Sequence, residues 1–316
     1  MNHKQAVVGV DVSKATLVIG DYHSEQVVHI DNAVEAIAGW LATLPKGSVV
    51  AMEATGALHG LLAQMARAAQ MVVYVLNPQT LRHYARSLGL RAKTDRVDAL
   101  LIARYAMHER AKLRPWQPPA PAADALSRLL KRRQVLVQAH TTLMQSLSAM
   151  SALKAQRQTL QNALKRMIAN LELLIWAEIG KSAQLTAVHR RLTTIPGVGR
   201  IVAAELLAAL LRFEFARIDS FIAYTGLDPR PDDSGPRRGR RRLTKHGPGL
   251  LRCLLYNAAM AASHTKLFKP LYAALLARGL QTTEALVVLA RKLARIAMAL
   301  FKSGATFQAE KHAQTA

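Results

Sequence analysis

A single cysteine, Cys253, stands among 316 residues, so the chain can form no internal disulfide and no zinc site built on several thiolates. Acidic residues are also scarce: 20 Asp and Glu face 43 Lys and Arg, a formal net charge of +23. A folded chain with that excess points to a polyanionic partner, nucleic acid first and an anionic membrane surface second. No apolar run reaches the roughly 18 residues of a membrane-spanning helix. The best runs are broken by Arg67, Glu205 or Arg291. A basic amphipathic helix over 286–301 has a pattern that also suits a membrane surface, although helices of globular folds share it, and no membrane partner is expected. Residues 1–12 lack the basic-then-apolar pattern of a signal peptide, so a cytoplasmic location is expected.

What is present is ample apolar material, 51% of the chain, enough for two domains and a connecting piece. Charge divides them. Residues 1–112 carry 12 basic and 9 acidic side chains, whereas 113–316 carry 31 and 11. A nearly neutral first domain and a second part that grips phosphates follow from that asymmetry.

The first domain alternates in period. Short β-branched runs at 6–10, 16–19 and 27–30 predict a meander, followed by helix over 32–44, strand over 48–52, helix over 58–69 and strand over 71–76. Asn77-Pro78 stops that strand, and Thr94 or Asp95 can cap a final helix to about 107. The expectation is a mixed sheet with helices on its faces, the layout of the ribonuclease-H-like fold. Four prolines within 115–121 predict a linker with no regular structure. Beyond it, about 123–178 is free of glycine and proline. Leu129, Leu136, Leu143 and Met150 recur there every seven residues, and Leu153, Leu160, Leu164, Met167, Leu171 and Leu174 form a second apolar row. That is the seam of a helical hairpin or coiled coil, closed either within one chain or between two. The boundaries are 1–114, a linker 115–122, a helical connector 123–182 and a mainly α domain 183–316.

Four carboxylates sit at element ends of the first domain. Asp11 ends the first strand, Glu53 ends a later one, and Asp95 and Asp98 open the last helix three residues apart, on one face. Hard oxygen donors of this kind suit Mg²⁺, with Mn²⁺ as a substitute, and two such ions about 3.5–4 Å apart can polarise a phosphate and steady the entering and leaving oxygens. Singly, each has a plainer role: Asp95 as a cap, Asp98 on the helix dipole, Asp11 as a strand terminus, Glu53 in an ion pair.

In the second domain, Ile195-Pro196-Gly197-Val198-Gly199-Arg200-Ile201 leads into a helix over 202–211 and resembles the hairpin of a helix-hairpin-helix element. There Gly197, Gly199 and Arg200 suit a phosphate at the helix start; an ordinary interhelical turn is the alternative. Further on, Arg237, Arg238, Arg240, Arg241, Arg242 and Lys245 crowd into nine residues, a density that a phosphate backbone neutralises. Ser234 lies in the glycine- and proline-marked turn just before them. Alone it is an ordinary turn residue, since a serine hydroxyl needs activation to attack and no Ser-His-Asp order surrounds it, although His246 is near in sequence.

The ordered blocks change that reading. Gly9-Val10-Asp11-Val12-Ser13-Lys14, Met52-Glu53-Ala54-Thr55-Gly56, Asn77-Pro78, Lys93-Thr94-Asp95-Arg96-Val97-Asp98-Ala99, Ile195-Pro196-Gly197-Val198-Gly199, Gly226-Leu227-Asp228-Pro229-Arg230, Ser234-Gly235, Thr244-Lys245-His246-Gly247 and Leu251-Arg252 follow in order over nearly the whole chain. Together they resemble the bridge-RNA-guided DEDD transposases of bacterial insertion sequences, relatives of the pilin-gene invertase. The resemblance implies a Holliday-junction-resolvase-like domain, a coiled-coil connector and a carboxy-terminal transposase domain. It assigns Asp11, Glu53, Asp95 and Asp98 to the metal site, and Ser234 to the serine that joins covalently to a DNA 5′ phosphate. It also implies a noncoding bridge RNA that pairs with donor and target DNA, and a dimer or tetramer whose active sites are composite. The chain departs from the family in its arginine-rich segment after Ser234-Gly235 and in Thr244, where relatives often have serine.

Three rivals stand beside this reading. A hydrolytic junction resolvase would use the carboxylates and water alone. An actin-like or sugar-kinase-like ATPase shares the opening strands but lacks here a second phosphate-binding Asp-x-Gly loop. A nucleic-acid-binding protein with a decayed site would not be expected to keep every acidic position filled.

Overall fold

The computed structural model describes residues 5–56, 58–90, 94–230, 233–234, 237–238 and 242–309. It divides into two compact units, Met1–Pro118 and Pro119–Ala316.

In the first unit, β1 (Val7–Val12), β2 (Thr16–Asp21) and β3 (Val27–Asp31) form the antiparallel meander. The Asp21 carboxylate accepts from the backbone N–H groups of His23 and Ser24 at 3.0 and 2.8 Å, which sets the β2–β3 turn. β4 (Val49–Glu53) and β5 (Val72–Leu76) extend the sheet in parallel on the other side of β1, giving the order β3-β2-β1-β4-β5. This is the mixed sheet that the sequence predicts. On one face α1 (Val34–Ala42) and α2 (His59–Ala68) bury Ile37, Leu41 and Leu62 against Val8, Val10, Val50 and Met52.

The other face carries α3 (Pro78–Ser87) and α4 (Asp95–His108), whose Leu81, Ile102 and Ala106 pack on Val7, Val49, Ala51 and Tyr74. The sequence reading stops at Asn77-Pro78 and misses α3. The same two residues start it: the Asn77 side chain accepts from the Gln79 N–H at 2.8 Å, and Pro78 occupies the first turn, where its missing N–H costs nothing. α4 lies directly on β1, and a Cβ built on Gly9 would stand 2.2 Å from both the Ala103 nitrogen and the Ala99 carbonyl oxygen. Only glycine permits that approach.

In the second unit the proline cluster needs one correction. Pro121 is already the first residue of α5 (Pro121–Ser146), a position proline tolerates, so regular structure begins inside the predicted linker. Trp116, still in the first unit, donates its backbone N–H to the Val73 carbonyl at 2.7 Å. α5 and α6 (Lys154–Gly180) form a helical hairpin, joined in part by an Arg133–Glu172 ion pair at 2.7 Å. Its base enters the core through Leu126, Leu130, Ile175 and Ile179. Along its length the heptad positions stay uncovered: Leu160, Met167 and Leu174 are 37%, 52% and 53% exposed. α7 (Ala183–Thr193), α8 (Arg200–Arg212), α9 (Ile218–Thr225), α10 (Gly249–Ala262), α11 (Lys269–Ala277) and α12 (Thr282–Ser303) complete a mainly α fold.

Among the described residues the core around α8 encloses one carboxylate. Glu205 is 8% exposed, and burial pushes its carboxyl up to about 7, against a smaller downward pull from Lys131 and Arg212. A raised carboxyl means that the folded chain holds a proton the unfolded chain has lost, so stability falls as pH rises from about 4.5 to about 7. That fall is on the order of 3 kcal/mol. Glu205→Gln is expected to remove this component. A wild type that melts several degrees lower at pH 8 than at pH 5, beside a variant with a flatter profile, is the outcome to look for in thermal unfolding. Equal pH dependence of the two proteins would contradict the assignment.

Candidate active site and nucleic-acid interface

Side chains alternate across a strand. Val8, Val10 and Val12 of β1 enter the core beneath α1 and α2, so Val7, Gly9 and Asp11 face α4. In β4, Met52 faces α1 and α2 while Val49 and Ala51 face α4, which gives Glu53 the same direction as Asp11. The two strands are parallel with Val10 opposite Met52, so Asp11 and Glu53 come next in register on neighbouring strand ends.

α4 runs opposite to β1. Its last residue, His108, meets the Tyr22 hydroxyl at 3.0 Å, and the Tyr22 N–H donates to Val7 at the start of β1. The first turn of α4 therefore stands over the ends of β1 and β4. Thr94 caps that turn by accepting from the Val97 N–H at 3.3 Å, which leaves Asp95 free of a capping role. Asp98 and Glu53 line one cavity of about 440 Å³, while Asp95 is exposed on the same turn. The unpaired N–H groups and dipole of a helix start favour negative charge there.

Carboxylate oxygens are the donors that suit a hard divalent cation, and two neighbouring strand ends and a helix start carry them. Among the described residues no group of three or more His, Cys, Asp or Glu is close enough to hold an ion, so the structure does not draw these four carboxylates together. The same cavity carries Arg82 and Arg86 of α3, two cations one turn apart that the sequence reading does not single out. The signal for them is the cap at Asn77-Pro78, which fixes their helix.

In the second unit the glycine hairpin splits into two roles. Gly197 has φ +86°, and a Cβ there would stand 2.5 Å from the Ala258 carbonyl oxygen of α10, so this glycine serves the core. Gly199 precedes α8 in open space. Arg200 begins α8 with its guanidinium 4.1 Å from the Trp176 ring centre, and its carbonyl lies 3.0 Å from His189 Nε2. Burial pushes His189 below the usual imidazole range, against a rise from that backbone bond. Arg200 is thus exposed yet steadied on an aromatic face.

The serine segment is held at its base. β6 (Pro229–Arg230) pairs with β9 (Arg242–Leu243), and as a separate two-stranded sheet β7 (Asp233–Ser234) pairs with β8 (Arg237–Arg238), setting Ser234 opposite Arg237. Ser234 ends this short strand, at the position expected for the glycine- and proline-marked turn. Arg240 and Arg241 lie outside the described residues. At the base, the Thr244 hydroxyl donates to Asp228, the Lys245 N–H donates to the Gly226 carbonyl at 3.2 Å, and Arg252 donates to the carbonyls of Thr225 and Gly247 at 3.3 and 2.5 Å. Lys245, at φ +55°, is exposed beside them. Three short blocks within residues 225–252 thus meet as one anchor. Asp228, Thr244 and Arg252 are its positioning residues, which the sequence shows only as separate motifs.

Two family models match the chain. A family model for DEDD transposases of the IS110 type matches residues 8–171, and one described as "Transposase IS116/IS110/IS902 family" matches residues 189–273. The chain is 29% identical over 271 residues to the pilin gene-inverting protein of Moraxella lacunata, covering 83% of this chain and 82% of that one. It is 28% identical over 254 residues to the transposase for insertion sequence element IS1111A of Coxiella burnetii, covering 70% and 67%. Among solved structures, Thermus thermophilus RuvC in complex with a Holliday junction substrate aligns over 36% of this chain and all of its own, with 16% identity and a TM-score of 0.27.

Proposed function

The chain belongs to the IS116/IS110/IS902 family of transposases, and from that premise we propose that it excises and inserts its element through a covalent link between Ser234 and DNA. The observation that carries the acidic half is the direction of Asp11 and Glu53, side by side on strand ends and facing the helix start that bears Asp95 and Asp98. These four residues would hold a divalent cation, Mg²⁺ by the hardness of its ligands, and the ion when bound supplies Lewis-acid polarisation of the phosphate.

The chain's own residues do the rest. Ser234 Oγ attacks phosphorus, an Oγ–P bond forms and the P–O3′ bond breaks. The proton lost from Oγ is balanced by the one gained by the departing 3′ oxygen. The phosphoserine keeps the energy of the broken phosphodiester, so reversal onto a new 3′ hydroxyl reseals DNA without a nucleotide cofactor. Arg237, Arg238, Arg240, Arg241, Arg242 and Lys245 neutralise phosphate charge around the reacting centre. Gly199, Arg200 and the start of α8 bind backbone phosphate without reading sequence, and Gly197 shapes their turn.

Specificity comes from an element-encoded bridge RNA that pairs with donor and target DNA. A second copy of the chain completes the active site, in a dimer or tetramer. The uncovered positions Leu160, Met167 and Leu174 of α6 support the assembly, since an apolar row of this spacing is the seam that a partner helix closes.

Ser234→Ala is the test. It is expected to abolish cleavage of recombination-site DNA while the affinity for that DNA stays within about threefold, because the charges that set affinity remain. Cleavage that survives the substitution would favour the rival reading, a nuclease using carboxylates and water.

A further inference from the structure

The first unit carries a second cavity, of about 550 Å³, on the outer side of α4. Its wall shares Leu90, Val97 and Leu101 with the cavity of Glu53 and Asp98, so the two open on either side of one apolar ridge. We propose that this second cavity binds one nucleotide of a single strand adjoining the scissile phosphate. The proposal rests on the reading of Glu53 and Asp98 as the place of cleavage.

The residues are of the kinds that hold a nucleotide. Tyr22, half-buried on the core and in edge contact with the His23 and His108 rings, lines the cavity beside the apolar residues, and an aromatic ring so placed is a group on which a base can stack irrespective of its sequence. Arg104 is exposed on the wall as a phosphate donor, and the His108 ring is set against Tyr22 by the 3.0 Å contact to its hydroxyl. His23 stands edge-on to Tyr22 with ring centres 5.2 Å apart.

The rim is built rather than loose. Glu25 lines it at φ +55°, a conformation that non-glycine residues rarely adopt, and its carbonyl accepts from the Arg96 guanidinium at 3.3 Å. Asp21 fixes the same turn from below. A cavity of this size takes a single nucleotide, and ligand sites run from about 300 Å³ upward.

The experiment uses the full chain in EDTA, so that binding is read without cleavage. Twelve-residue oligo(dT) and oligo(U), each with one 5-iodouracil, are crosslinked by light, and the attached peptides are identified by mass spectrometry. The expected result is a crosslink on the peptide holding Tyr22 and His23. Its yield should fall at least fivefold in Arg104→Ala and in Tyr22→Ala but persist in Tyr22→Phe, which keeps the ring and loses the hydroxyl. A stronger crosslink from one oligomer identifies DNA or RNA as the source of the nucleotide. Crosslinks confined to other peptides, or yields within twofold in both alanine variants, would overturn the proposal. Failure of Ser234→Ala to block cleavage would instead strike the serine mechanism and leave this binding result standing.

Discussion

Asp11→Ala is expected to lower DNA strand cleavage about a thousand-fold while the protein melts close to the wild-type temperature. The loss follows from the loss of one ligand to an ion worth several kcal/mol of transition-state charge stabilisation, with each 1.36 kcal/mol a factor of ten. The stability follows from the place of the side chain. Asp11 stands at a strand end and is only half-buried, so its truncation loses little packing. Cleavage rate and thermal unfolding measured on the same preparation check both halves. A variant that cuts within tenfold of wild type would remove Asp11 from the site.

Gly9→Ala should have the largest effect on the fold. The added methyl would stand 2.2 Å from the Ala103 nitrogen and the Ala99 carbonyl oxygen, and both are backbone atoms of a helix that cannot step aside alone. α4 must lift from β1, at a cost of about 3 kcal/mol or more. Because the first turn of that helix carries Asp95 and Asp98, activity should fall with stability. Gly39 in α1 supplies the contrast. Nothing lies within 4 Å of its missing Cβ, so Gly39→Ala should stabilise by about 0.5–1 kcal/mol through helix propensity. Denaturant unfolding of the two variants side by side decides the matter, and similar midpoints would contradict the packing argument.

The sequence shows the acidic half of the site more readily than the basic half, for a physical reason. Strand ends and a helix start are local events: a β-branched run ending in Asp11, another ending in Glu53, and Thr94 before Asp95 and Asp98 can each be read from a few neighbours. The mixed sheet follows from the same patterns. α3 is missed because Asn77-Pro78 both ends a strand and caps a helix, and Arg82 and Arg86 are missed with it. The anchor on either side of the Ser234 segment depends on contacts between Thr225–Asp228, Thr244–Gly247 and Arg252, and no period in the chain announces them. Nor does spacing alone divide Gly197 from Gly199, since one is turned toward α10 and the other toward open space. The heptads of 123–178 predict a hairpin seam, and the structure leaves several of its positions exposed, which a pattern of apolar residues cannot foretell.

The claim at the centre of this account is that carboxylates and serine serve one reaction. The most direct measurement incubates the protein with Mg²⁺, element-derived RNA and labelled recombination-site DNA, then separates protein from DNA under denaturing conditions. Wild type should carry labelled DNA on the peptide of Ser234, and neither Ser234→Ala nor Asp11→Ala should carry any. Cut DNA with no adduct, produced equally by Ser234→Ala, would contradict the account and leave a metal-dependent nuclease in its place.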